Sequence, residues 1–179
     1  MLEKKDFNTT KKSSKVIESS EALAKARTFC VYQERYQQEV RDKLYSWGLH
    51  KKDVESIIAE LISSDFINEE RYAKAFAGGK FRIKKWGKVK IRVELKKRNI
   101  SDYSINKGLQ EIDEKDNIKT IKKIILEKVK KSHPIGVPFG EEKTTLILKH
   151  KTAKYAISRG FESELVWEMV NELILAKAQ

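Results

Sequence analysis

Residues 91–112 read IRVELKKRNISDYSINKGLQEI, and the spacing of their apolar side chains decides the fold. Ile91 and Leu95 are four apart, Ile105, Leu109 and Ile112 are spaced four and three, and Ile100 lies between the two groups. Spacings of three and four place side chains on one helix face, so the stretch predicts two amphipathic helices joined near Asn99. The joint carries its own marks. Asn accepts the left-handed conformation that ends a helix, and Ser101 or Asp102 supplies an oxygen to cap the next one.

The same frame occurs twice more, without a gap. Residues 40–61 read VRDKLYSWGLHKKDVESIIAEL and residues 152–173 read TAKYAISRGFESELVWEMVNEL. Leu44, Leu95 and Ala156 coincide, followed by Leu49, Ile100 and Phe161, then Val54, Ile105 and Val166. Ile58, Leu109 and Val170 come next, and Leu61, Ile112 and Leu173 close the frame. Gly48 and Gly160 stand where the middle copy has Asn99. A constant apolar frame with variable polar filling marks a small packed unit that has been copied.

Outward from each frame the helical pattern continues. Ahead of the first, a helix from Ser20 carries Leu23, Ala26 and Cys30, and Tyr36, Val40, Leu44 and Trp47 share one face of the next. Ahead of the second, Asn68 is a credible cap, with Glu69 and Glu70 in the first turn, where the helix dipole favours anions. This helix shows Tyr72, Ala73, Phe76 and Ile83; Gly78 and Gly79 interrupt it, either at a close helix approach or at a bend, and Trp86–Gly87 makes the turn. Ahead of the third, a helix from about Asp116 to Lys131 carries Ile118, Ile121, Ile125 and Val129. Residues 132–140, SHPIGVPFG, hold both prolines and read as a loop, and residues 145–148, TLIL, read as first helical turns or a short strand. The expected fold is all-α, built of tandem three-helix repeats over 20–66, 67–113 and 114–179, with a loop near 132–145 and a disordered polar tail over 1–19.

Charge points to the partner class. Charged residues make up 36% of the 179, and 38 Lys and Arg stand against 26 Asp and Glu. The excess is uneven: 12 basic against 11 acidic residues in 1–66, 13 against 6 in 67–113, and 13 against 9 in 114–179. Such an excess usually meets a polyanion, most often nucleic acid; the plain alternative is a lysine-rich protein whose charge serves solubility. The single cysteine, Cys30, lies among Phe29, Val31 and Tyr32, which excludes an internal disulfide and suits a buried apolar role in a reducing cytoplasm. No apolar run reaches transmembrane length and the first residues lack a signal-peptide core, so a cytoplasmic protein without a membrane partner is expected.

Chemistry is poorly provided for. His50, His133 and His150 lack second ligands at metal spacing, and one cysteine excludes a zinc finger. Gly87–Lys88 resembles the end of a phosphate loop, but Val89 stands where Ser or Thr is needed. A non-enzyme without metal or cofactor is expected.

Residues 80–98, KFRIKKWGKVKIRVELKKR, carry the positive signal: Lys80, Arg82, Lys84, Lys85, Lys88, Lys90, Arg92, Lys96, Lys97 and Arg98 against Glu94 alone. With Ile91 and Leu95 facing the core, Lys88, Arg92 and Lys96 form a row on another side of their helix, a row able to follow a phosphate backbone and release counterions. Trp86 is either a base-stacking platform or a core residue at a helix corner. Lys149, Lys151 and Lys154 extend the basic surface less regularly, as do Lys122, Lys123, Lys130 and Lys131.

Three passages resemble the RecX family of bacterial RecA regulators. Residues 65–73, DFINEERYA, look like the family's opening of the second repeat; Trp86-Gly87 with Lys90-Ile91 and Leu95 looks like its WG…KI…L pattern; and residues 158–162, SRGFE, resemble the turn of its third repeat. The sequence departs from the pattern at Asn99, where Gly is common, and in its longer stretch after Ser132. The resemblance implies an elongated, curved, non-enzymatic molecule that binds in the groove of the RecA–single-stranded DNA filament. It further implies that the filament's extension, ATPase and strand exchange are lowered. The partners it implies are the RecA filament and single-stranded DNA, with double-stranded DNA as a further candidate; a monomer is expected. The alternative is a general nucleic-acid-binding helical module without RecA specificity.

Overall fold

The computed structural model describes residues 17–132 and 142–175; among them every regular element is an α-helix. They divide between two compact units, one ending at Asn68 and the other beginning at Glu69.

The first unit packs α1 (Ser19–Tyr32), α2 (Gln37–Ser46) and α3 (Lys51–Ser63) around one core. Ala22, Ala26 and Cys30 recur every fourth residue along α1, and their small side chains let it lie close against Val40 and Leu44 of α2 and Val54, Ile58 and Leu61 of α3. Leu23 takes a partly buried place beside this face. Gly48, at φ 85°, ends α2 as its position in the frame requires, and Cys30 is buried as expected. Asp65, at φ 58°, ends α3 in the same way, with the amides of Phe66 and Ile67 both donating to the Leu61 carbonyl.

The second unit holds α4 (Glu69–Lys84), α5 (Lys88–Lys96), α6 (Asp102–Leu109), α7 (Glu114–Ser132), α8 (Glu142–Ser158) and α9 (Ser163–Leu175). Ile91, Leu95, Ile105, Ala156 and Val166 are fully buried, and Asn99 is left-handed at φ 57°. Ser101 is the cap of α6, its hydroxyl accepting from the Ser104 amide. The Glu69 carboxylate reaches across from α4 to accept from the Ser101 amide (2.6 Å), the Ser101 hydroxyl (2.9 Å) and the Ser104 hydroxyl (3.1 Å), so one acid fastens the start of α6 to the start of α4. Further along, a Cβ on Gly108 would lie 2.7 Å from the Ala73 carbonyl oxygen: hydrogen at this position is what lets α6 cross α4 closely.

Several sequence expectations need correction. Helix α4 runs unbroken through Gly78 and Gly79, so neither marks a bend; Gly79 has no neighbour a Cβ would meet, and the atoms nearest to a Cβ on the buried Gly78 are those of the Arg82 guanidinium. Ile83 is 77% exposed, because the buried face of α4 runs through Tyr72, Ala73, Ala77 and Phe81. Helix α7 starts at Glu114 because Asp113 caps it, accepting from the amides of Lys115 and Asp116. Of the two readings of residues 145–148, the helical one holds, since they lie inside α8. At the last frame position Leu173 is only half-buried while Ile174 is 1% exposed. The loop expected after Ser132 and most of the N-terminal tail lie outside the described residues.

Candidate nucleic-acid interface

The basic stretch occupies the last turns of α4, the turn at Lys85–Gly87, and α5. Two glycines fix this corner. The Gly87 amide donates to the Arg159 carbonyl (2.9 Å) and the Val89 amide to the Gly160 carbonyl (3.0 Å), so the start of α5 is seated on the turn between α8 and α9. The Arg159 guanidinium returns across the joint to the Lys84 carbonyl at 2.6 Å. A Cβ on Gly87 would lie 2.2 Å from the Gly160 oxygen, and one on Gly160 would lie 2.2 Å from Lys90 Cβ.

The predicted row on α5 is arranged as its spacing requires, but each member faces an acid or an amide. Lys88 Nζ is 2.8 Å from Glu114, Lys96 Nζ is 3.2 Å from Asp102, and Arg92 donates to Asn106 Oδ1 at 2.8 Å with Asp102 at 3.9 Å. On the far side of the helix, Lys97 and Arg98 both meet Glu94, at 3.0 and 3.1 Å. Hydrogen bonds from Lys97 and Arg98 hold the Glu94 carboxyl below its usual range, and the Lys88 ammonium does the same for Glu114. Exposed pairs of this kind contribute only about 0–1 kcal/mol each, so they orient the side chains more than they stabilise the fold.

The rest of the stretch divides in two. Lys80 and Lys90 lie against the half-buried Trp86 ring, their Nζ atoms 5.4 and 4.7 Å from its centroid. Phe76 is similarly bracketed by Lys80 at 5.1 Å and Arg98 at 4.8 Å. Trp86 is thus a corner residue with cations packed on it. Arg82, Lys84 and Lys85, by contrast, have no carboxylate within ion-pair distance among the described residues, and Lys85, left-handed at φ 53°, turns its ammonium back onto the Arg82 carbonyl. Lys149, Lys151 and Lys154 of α8 are likewise without an ion pair among the described residues. The acids opposite the α5 row escaped sequence reasoning because Asp102 and Glu114 arrive from later helices. Glu94 was legible, being three and four residues from its partners. The described residues contain no group of acids, histidines and cysteine able to hold a metal ion, and no helix long and apolar enough to cross a membrane.

Comparison with known proteins agrees with this architecture. Residues 68–109, covering α4 to α6, match the model of the second three-helix domain of RecX. The regulatory protein RecX of Clostridium acetobutylicum is 29% identical over 154 residues, covering 85% of this chain and 68% of the relative. That of Lactobacillus johnsonii is 27% identical over 168 residues, covering 94% of this chain and 59% of its own length, so the chain spans roughly two thirds of such relatives or less. Among solved structures, RecX from Lactobacillus salivarius has a TM-score of 0.73 and 23% identity, covering 88% of this chain and 97% of that one. A second crystal structure of a regulatory protein RecX gives 0.70 at 20% identity, over 86% and 73% of the two chains. At these identities the two structures speak to the fold alone.

Proposed function

This chain belongs to the RecX family of regulatory proteins, and from that premise we propose that it is a negative regulator of RecA recombinase. In this reading it binds the RecA–single-stranded DNA filament and lowers the filament's extension, ATPase and strand exchange, and so acts on recombination and repair in the cytoplasm. The basic residues from Lys80 to Arg98 face the filament, with Lys149, Lys151 and Lys154 extending the contact. The observation that carries the reading is a coincidence: the segment matched to the second RecX domain, 68–109, holds the most basic stretch of the chain. Helical-repeat proteins as a class recognise extended partners more often than small ligands in a single pocket, which suits a filament.

The test is RecA ATPase on saturating single-stranded DNA, with this protein added in substoichiometric amounts. Inhibition well below one molecule per DNA footprint is the expected result. Inhibition only at amounts that coat the DNA would defeat the RecA-directed reading in favour of a general nucleic-acid-binding helical module.

A further inference from the structure

Four of the second unit's cations without an ion pair among the described residues lie together. Arg82 and Lys85 from the end of α4 and Lys119 and Lys123 from α7 line one cleft of about 400 Å³. Thr120 adds a hydroxyl to the same cleft. Its apolar lining is Phe81 and Ile124, each 7% exposed, so part of its wall is closed to water and electrostatic attraction there is less screened than on an open face. Asp116 and Glu127 also line it, yet neither is within ion-pair distance of the four cations; the excess of positive charge therefore stays unneutralised. Gly78 accounts for the position of Arg82. A Cβ there would lie 2.7 Å from Arg82 Nη1, so the guanidinium folds down over the space the glycine leaves.

We propose that this cleft between α4 and α7 is a phosphate site that seats the phosphodiester backbone of single-stranded DNA, with Arg82, Lys119 and Lys123 as the principal contacts. The inference deepens the filament-binding reading and rests on it. A planar, forked guanidinium beside mobile ammonium groups matches the tetrahedral oxygens of a phosphate. The Phe81 ring is buried, so the cleft offers no open aromatic face on which a base would stack; it follows the backbone and is indifferent to sequence. The contrast with the α5 row is chemical. Lys88 and Lys96 must give up a carboxylate to take a phosphate, whereas Arg82, Lys119 and Lys123 have none to give up.

The experiment is fluorescence anisotropy of a labelled oligothymidylate through a salt series, comparing the wild-type chain with an Arg82→Gln, Lys119→Gln, Lys123→Gln variant whose helicity is checked by circular dichroism. Each lost phosphate contact lowers the slope of log affinity against log salt by about 0.7, so the triple variant should lose about 2. If the triple variant does not fold, Arg82→Gln and Lys119→Gln alone should each lower the slope by about 0.7. An unchanged slope with intact wild-type binding would overturn the proposal while leaving the regulator reading standing. Loss of inorganic pyrophosphate binding at an unchanged slope would assign the cleft to a free phosphate compound and overturn the strand assignment. A wild-type chain that holds no oligonucleotide even at low salt would sink the proposal, and RecA ATPase inhibition would then decide the regulator reading separately.

Discussion

Replacing Gly87 by Ala tests how the second unit is held together. The added methyl would sit 2.2 Å from the Gly160 oxygen, 2.3 Å from the Gly160 carbonyl carbon and 2.4 Å from the Phe161 amide nitrogen. All three are backbone atoms, so no rotamer change relieves the clash, and one strand of the crossing must move by about an ångström to restore van der Waals distance. That movement breaks or lengthens the hydrogen bonds from Gly87 to Arg159 and from Val89 to Gly160. Two backbone hydrogen bonds are worth about 1–3 kcal/mol net, and overpacking adds about 1–3 kcal/mol, so a loss of about 2–6 kcal/mol is expected. For a chain of this size that is a fall of roughly 10 °C in melting temperature, read by circular dichroism. Gly79→Ala is the matched control. It lies inside α4 with nothing near its missing Cβ, so Ala should stabilise by up to about 1 kcal/mol through helix propensity alone. A Gly87→Ala protein melting within about 2 °C of wild type would refute the view that this crossing joins the helices.

Other perturbations have equally definite outcomes. Glu69→Ala removes an acceptor from the Ser101 amide and from two hydroxyls, and should cost about 1–3 kcal/mol, with faster hydrogen exchange at the start of α6; unchanged exchange there would refute the latch. The lowered folded-state values of Glu94 and Glu114 give stability that is complete above the ordinary carboxylate value of about 4.3 and disappears as pH falls through the lower folded value. Urea midpoints should therefore drop on acidification below about pH 4, and by less in a Glu94→Gln, Glu114→Gln variant; equal drops would remove these pairs from the account.

The apolar frame was legible because helix period alone places Ile91, Leu95, Ile105 and their equivalents inside, and the left-handed turn at Asn99 followed from alignment with Gly48 and Gly160. Period does not say where along a helix the neighbour ends. Ile83 continues the pattern of Phe76 but lies in the last turn of α4, on the side away from the buried face, and is exposed. Leu173 and Ile174 both suit the face of α9 by spacing, and only the packing against α7 and α8 selects Ile174. The candidate site was legible as charge but not as geometry. Lys88 and Lys96 read as free cations until Glu114 and Asp102 arrive beside them, and Arg82 and Lys119, far apart in the chain, meet only through the fold.

The corner at Gly87 also sets an order of events during synthesis. A chain made from its N-terminus presents α4, α5 and α6 long before Arg159 and Gly160 leave the ribosome, and Arg159 comes 75 residues after the Lys84 carbonyl that it binds. Until then the amides of Gly87 and Val89, at the start of α5 where no intrahelical acceptor exists, are left to water. The middle bundle receives these two acceptors only from the turn that follows α8.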